Sequence, residues 1–226
     1  MITDRTTVAV SGGHYTLFRA LFGAYVAVHF GYLSVFAAEL FSAAGMLADA
    51  AHSPLFAYAP SLLHISDAPW FVCALTMTGV PAALAFAAGR YHRIAAAWLL
   101  LLLISVFARN PLIANPALPY VGFMLLAHLF VPRMPGDGAD DRSWAMPAHL
   151  FMAVTVVLCL SYSYSGYTKL LSASWVAGDT VSLVLHNPLA RDWFVRDLAL
   201  FVPEVLLRYL TWFILYVELL FAPLFL

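Results

Sequence analysis

The stretch of sequence that decides the fold is the first long apolar segment, residues 17–41, which reads LFRALFGAYVAVHFGYLSVFAAELF. Two of its residues carry a formal charge, Arg19 near the start and Glu39 near the end. A helix needs roughly 20 largely apolar residues to cross the hydrocarbon core of a bilayer. Residues 17–41 exceed this length, and the run is too long for the apolar core of a cleaved signal peptide. The segment therefore predicts a first transmembrane helix that is retained in the protein.

The same apolar composition extends over the whole chain. Of its 226 residues 63% are hydrophobic and 10% are charged, whereas soluble domains are about half apolar and about a quarter charged. We therefore expect an all-α, polytopic membrane bundle that forms one domain over residues 1–226, with about six transmembrane helices and short interfacial helices. The net charge of −1 gives no indication of nucleic-acid binding, so the expected partner is the lipid bilayer. The predicted spans are residues 17–41, 70–88, 94–108, 118–131, 148–171 and 205–226.

Polar and proline-containing breaks separate these segments. Residues 172–204 are interrupted at His186-Asn187-Pro188 and at Pro203, which predicts short interfacial helices. The chain ends inside an apolar run at Leu226, so we expect a C-terminal truncation and a longer natural protein. Loops on the N-terminal side of the membrane are expected to carry six arginines, against three on the other side, which predicts a cytoplasmic N-terminus. The expected location is the inner membrane of a bacterial cell.

Several ionisable residues fall within the predicted spans, and six of them are candidates for function, since a charged group at the centre of a transmembrane helix costs about 3 kcal/mol. His29 belongs to a stripe of aromatic residues at helical spacing, so it either packs among them or faces a ligand cavity. His128 is expected to be a core histidine. The chain has no metal-binding or nucleotide-binding motif, and we expect no metal site. The six residues are His29, Glu39, His128, Lys169, Arg208 and Glu218.

Lys169 lies in a segment that is unusually polar for a span, residues 161–170, which reads SYSYSGYTKL. At 3.6 residues per turn Tyr162 and Gly166 share a helix face with Lys169, and Ser165 lies one turn before the lysine. Gly166 leaves room for a neighbouring helix or a flat ligand. Loss of hydration favours the neutral, basic amine, which predicts a reactive lysine. The alternative is that Lys169, near the end of its span, extends its ammonium group to the lipid headgroups.

Glu218 lies deep in the last span and requires either a partner or a proton. Arg208, Thr211 and Glu218 fall on one face of that helix together with Leu215. We expect this face to point to the interior of the bundle and Glu218 to pair with Lys169. Such a pair is either a structural contact that fixes helix packing or a part of a catalytic site. Arg208 lies near the start of the helix, so its side chain could instead extend to the lipid headgroups.

Residues 164–179, which read YSGYTKLLSASWVAGD, carry an aromatic residue, a small residue with glycine, a Lys-Leu pair, a tryptophan and a second glycine. This pattern resembles the horizontally transferred transmembrane (HTTM) family, which is related to vitamin K-dependent gamma-carboxylase. The resemblance extends to Arg19, Gly23 and Tyr25 in the first span. It includes Arg109-Asn110-Pro111-Leu112 and Asn115 as well.

The resemblance implies that Lys169 is the base that deprotonates a reduced quinone, and therefore that a quinone-like molecule is the cofactor or ligand. The carboxylase has a second lysine where this chain has Thr168, a histidine segment where this chain has Asn115-Pro116-Ala117, and a soluble domain with no counterpart in residues 1–226. If the chain is an enzyme, it is therefore expected to be a carboxylase-like membrane epoxidase or lyase that does not carboxylate peptides. The candidate ligand-binding residues are Tyr162, Ser165, Gly166, Trp175, His29 and Glu218.

Two other functions stay open from the sequence. The chain could be a non-catalytic membrane partner, such as a maturation or immunity factor for a secreted peptide or a scaffold for a separately encoded soluble enzyme. It could also be a transporter, but the inverted repeats typical of many transporters are not visible between its halves.

Overall fold

The computed structural model describes residues 10–113, 117–132, 144–188, 190 and 192–226. These residues confirm the all-α class, since they form helices and no strand, with a single antiparallel bridge between Ser11 and Ala145. Contacts divide the chain into two compact units, Met1–Phe151 and Met152–Leu226.

The described part of the first unit contains six α-helices before residue 148, and an irregular segment, residues 42–68, separates the second helix from the third. The hydroxyl of Ser11 caps the first helix by accepting a hydrogen bond from the His14 amide at 3.5 Å. The third and fourth helices are separated at Thr78, three residues before Pro81, because proline has no amide hydrogen to continue the helical ladder. The helices are α1 (Gly12–Val35), α2 (Ala37–Phe41), α3 (Pro69–Met77), α4 (Gly79–Ala87), α5 (His92–Arg109) and α6 (Leu118–His128).

The core of the first unit forms around α5. More than half of the most apolar part of α5 is buried (56%), against 28% for α1 and for the α3–α4 pair. The α5 side chains Leu99 and Leu102 are fully buried and belong to one cluster with Phe30 of α1 and Phe86 of α4. Helix α5 is therefore the central helix of this unit.

The C-terminal end of α5 is anchored by polar contacts to the segment between α2 and α3. Arg109, which the sequence analysis placed in a loop, is fully buried, and its guanidinium donates to the carbonyls of Ser42 (3.4 Å) and Ala48 (3.2 Å). The side-chain amide of Asn110 donates to the carbonyl of Leu40, near the end of α2, at 2.9 Å. These bonds satisfy carbonyl groups that an irregular segment would otherwise leave unpaired.

The second unit contains most of α7 (Ala148–Leu170) and a series of shorter helices. Gly178, at φ +85°, ends α8 in the left-handed conformation that glycine adopts without strain. The predicted breaks are confirmed, because α9 ends just before His186 and α11 begins just after Pro203. The remaining helices are α8 (Ala173–Ala177), α9 (Thr180–Leu185), α10 (Phe194–Leu200), α11 (Glu204–Leu219) and α12 (Phe221–Phe225).

Four helical segments of the described chain are long and apolar enough to cross a membrane, as expected for a multi-pass membrane protein. A fifth is reached if α10 and α11, which meet at a 113° bend, count as one span. The predicted number of six is not confirmed, because α6 has 11 residues and a rise of about 16 Å, short of a hydrocarbon core of about 30 Å. The four segments are Gly12–Val35, Pro69–Ala87, His92–Arg109 and Ala148–Leu170.

Candidate ligand site around Lys169

The candidate site lies in the second unit, where the last turns of α7 and α11 meet at Gly166. A Cβ atom on Gly166 would lie 2.5 Å from the Cα of Leu219 and 2.8 Å from the carbonyl carbon of Glu218. Such distances leave no room for any side chain, so the two backbones approach as closely as glycine allows. Of the two possibilities for Gly166, a neighbouring helix or a flat ligand, the structure shows the helix. The contact brings the α11 residue Glu218 next to the following turn of α7.

Lys169 and Glu218 form the ion pair that the sequence predicts. The Nζ atom of Lys169 lies 2.5 Å from Oε1 of Glu218, and each side chain is 19% exposed. In surroundings of low dielectric constant the two opposite charges compensate each other far more strongly than they would in water. The pair therefore explains how the single lysine of this chain is accommodated in an apolar helix.

The second carboxylate oxygen of Glu218 is left without a partner. Its Oε2 atom is buried, and no hydrogen-bond donor within the described residues reaches it. Buried polar atoms in proteins are nearly always hydrogen-bonded, so an open acceptor at this position is a feature of the site that needs an explanation.

Trp175 covers the ammonium group on another side. Nζ of Lys169 lies 4.4 Å from the centroid of a Trp175 ring, within the range of a cation–π contact. The helix α8 that carries Trp175 is held against α11, because the indole Nε1 of Trp212 donates to the Val176 carbonyl at 3.0 Å. A planar aromatic side chain, an ammonium and a carboxylate therefore converge at one point.

The neighbouring turn of α7 contacts α12. The ring of Tyr162 stacks on Phe221 with 4.7 Å between centroids. One residue further on, the hydroxyl of Ser163 accepts a hydrogen bond from the Ala222 amide at 2.8 Å. Ser163 was not predicted as a site residue, although the amides in the first turn of a helix such as α12 lack a partner within the helix and are commonly capped by a serine hydroxyl.

The other two predicted ligand-binding residues have different surroundings. Ser165 is half-buried, and its backbone carbonyl accepts a hydrogen bond from the Thr168 hydroxyl at 2.8 Å. His29 belongs to α1 in the first unit, where its ring stacks on Tyr25 and meets the edge of Phe30. The aromatic packing that was one of the two possibilities for His29 is therefore present.

Of the two possibilities for Arg208, the inward-facing position beside Glu218 is not the one that the structure shows. Its side chain is about half exposed and pairs with Asp179 at 3.2 Å. The buried positions of that helix face are Thr211 and Leu215. The reason is that the turn after α8 packs against α11 at this level and presents Asp179, a partner that helical spacing alone does not predict.

A second, chemically different depression lies between α5 and α6 in the first unit. It is an apolar groove of about 200 Å³, with walls that include Leu103, Leu118 and Gly122. Because its walls offer no polar group, it could hold an acyl chain but could not orient a ligand through hydrogen bonds. The Lys169 site is therefore the better candidate for specific recognition.

The arrangement around Lys169 favours a flat, lipid-soluble molecule with polar groups at its edge. Trp175 offers an aromatic face, and the partly exposed ion pair offers a hydrogen-bond donor and a hydrogen-bond acceptor. Among the described residues no group of three histidine, cysteine or carboxylate side chains is placed to hold a metal ion. The chain matches no family model, no curated protein and no solved structure.

Proposed function

We propose that the chain is a multi-pass membrane protein of the HTTM kind that binds a lipid-soluble, quinone-like ligand beside Lys169. The observation that carries this proposal is the position of two groups around the ammonium nitrogen of Lys169. A carboxylate oxygen of Glu218 lies 2.5 Å from it and the ring centroid of Trp175 lies 4.4 Å from it, in helices that are largely apolar. A buried ion pair contributes little net stability compared with apolar packing. Its presence in an apolar unit, with one carboxylate oxygen unused, is therefore better explained by a ligand than by helix packing alone.

Each component has a role in this proposal. The face of Trp175 stacks with a planar ring, since offset aromatic stacking contributes about 1 kcal/mol beyond the burial of area. The ammonium group of Lys169 donates to a carbonyl oxygen of the ligand, and Glu218 balances its charge. The resemblance implies in addition that Lys169 acts as a base toward a reduced quinone. For this role the ammonium must first pass a proton to the carboxylate of Glu218, with which it is in direct contact, and the neutral amine can then accept the proton of the quinol.

We propose further that the N-terminus is cytoplasmic and that the membrane is the inner membrane of a bacterial cell. The arginine count supports this orientation whether or not α6 crosses the membrane. If α6 does not cross, two arginines at positions 133 and 142 move to the outer side, and two at positions 191 and 196 move to the inner side. The balance of six against three is then unchanged, as the positive-inside rule requires for this orientation.

Quenching of tryptophan fluorescence tests the proposed site. The chain, reconstituted in lipid nanodiscs, is titrated with decylubiquinone, and we expect saturable quenching that is lost for the most part in Trp175→Phe, although five other tryptophans remain. Lys169→Met is expected to weaken binding by about tenfold or more, the effect of losing one charged hydrogen bond. Arg90→Met, which removes an exposed cation from the first unit, is the matched control and should bind as the unchanged chain does.

Two outcomes would contradict the proposal. One is quenching that does not saturate in the unchanged chain, which would favour the alternative of a non-catalytic membrane partner. The other is saturable quenching that survives both Lys169→Met and Trp175→Phe, which would place the ligand elsewhere.

A further inference from the structure

We infer that α10 is an in-plane membrane anchor, which inserts one exposed apolar face into the boundary between the lipid headgroups and the acyl chains. This face consists of Phe194 and Leu198 of α10 and of Phe201, the residue that follows the helix. Helix α10 is then not the first part of a broken fifth span, and of the two helices only α11 enters the hydrocarbon core.

Three large apolar side chains share one face of α10. Phe194, Leu198 and Phe201 follow each other at i, i+4 and i+7, the spacing that places side chains above one another on a helix. Their side chains are 61%, 62% and 84% exposed. Such a face is unfavourable in water, so a partner of low polarity must cover it.

The opposite side of α10 is polar and is attached to α9. Arg196, two residues before Leu198, lies on this side. Its Nε atom donates to the carbonyl of Leu185, the last residue of α9, at 2.8 Å, and its guanidinium pairs with Asp192. The polar side therefore holds α10 to the second unit, and the apolar face is left uncovered.

Two carboxylates restrict the depth at which α10 can lie. Asp192 is 94% exposed, and Asp197 is exposed as well. No ion pair or hydrogen bond from the described residues reaches the side chain of Asp197, and an unpaired carboxylate is disfavoured in hydrocarbon. The apolar face thus excludes water around α10 and the carboxylates exclude hydrocarbon, so the boundary between the two is the remaining position.

The angle between α10 and α11 agrees with this position. The two helices meet at a bend of 113°, close to a right angle. When α11 crosses the bilayer, α10 therefore lies nearly parallel to the membrane surface. Exposed apolar side chains continue along the chain into the first turns of α11, at Val205 and Tyr209, so contact with lipid extends from one helix to the next.

Spin labelling of the full chain in nanodiscs measures the depth of α10. Cys73 and Cys159 are replaced by alanine, and a nitroxide is attached to the single cysteine of Phe194→Cys, Leu198→Cys, Phe201→Cys or Asp197→Cys. Collision rates with oxygen, which concentrates in hydrocarbon, and with a water-soluble nickel complex give the depth of each label. We expect similar depths of about 5–10 Å for the three positions of the apolar face, and a shallower label in Asp197→Cys.

Val28→Cys is the control for a position within a span. Val28 is 72% exposed and lies near the middle of the predicted span 17–41, so its label should lie about 15 Å deep, at the centre of the hydrocarbon core. Cys159 is buried, and its replacement could disturb folding. In that case the native chain is compared with Trp193→Phe, and lipids brominated near the headgroup should quench Trp193 more strongly than lipids brominated near the end of the acyl chain.

Three results would overturn the inference. A depth that increases steadily from Phe194 to Phe201 would show that α10 is part of a span. Frequent collision of all three labels with the nickel complex would place the apolar face in water. Rare collision with both reagents would show that protein, rather than lipid, covers the face.

Discussion

Replacement of Lys169 by methionine is expected to lower the apparent melting temperature by roughly 6–12 °C, because removal of one partner of a buried ion pair costs about 3 kcal/mol or more. The carboxylate of Glu218 would be left among apolar side chains with neither of its oxygens compensated. Glu218→Leu should cost less, since the long lysine side chain can extend its ammonium toward the headgroups. The double variant Lys169→Met/Glu218→Leu should recover most of the loss, because it leaves no unpaired charge.

Thermal unfolding of the four chains in the same detergent, followed by size-exclusion chromatography, measures this cycle. Arg90→Met controls for loss of a positive charge as such, and it should unfold as the unchanged chain does. Losses that simply add in the double variant would show that Lys169 and Glu218 do not interact.

Substitution of Gly166 by alanine is expected to be the other large effect, with a loss of about 2–3 kcal/mol and a melting temperature lower by roughly 4–12 °C. The added Cβ would meet the backbone of Leu219 at 2.5 Å, and backbone atoms, unlike the end of a flexible side chain, cannot move aside locally. The α7 and α11 helices must separate, which would also lengthen the contact between Lys169 and Glu218.

Gly13→Ala is the matched control for this substitution. A Cβ atom on Gly13, in the first turn of α1, would meet nothing within 4 Å. Alanine favours the helix over glycine, so Gly13→Ala should be neutral or slightly stabilising. If Gly166→Ala unfolds at the same temperature as Gly13→Ala, then α7 and α11 do not approach each other as closely as the structure shows.

The helices that sequence analysis places best are those in which charges or prolines bound a long apolar run. The predicted span 148–171 corresponds to Ala148–Leu170, and the predicted span 94–108 to His92–Arg109. The length of the apolar run gave a wrong end for the predicted span 118–131. The helix ends at His128, although the sequence remains apolar to Val131. An apolar run limits the extent of a helix but does not determine where its hydrogen bonding ends.

Helical periodicity predicted the part of the candidate site that lies on the long helices α7 and α11. Spacing along α7 and α11 was sufficient to predict that Lys169 pairs with Glu218. It was not sufficient for Asp179, the partner of Arg208, since this residue lies in a turn between short helices that have no periodic pattern. The burial of Arg109 was missed for a related reason. Its acceptors are backbone carbonyl groups, which every residue carries, so the sequence does not indicate which of them lie near Arg109.

Chemical modification of the single lysine tests whether a ligand occupies the space beside Lys169. The chain in nanodiscs is treated with a membrane-permeable amine-reactive ester, and acylation of Lys169 is followed by mass spectrometry with and without saturating decylubiquinol. We expect the ligand to slow acylation several-fold, while decanol, which has the tail and a hydroxyl but no ring, leaves the rate unchanged. An acylation rate that is the same in the presence and absence of decylubiquinol would contradict the account.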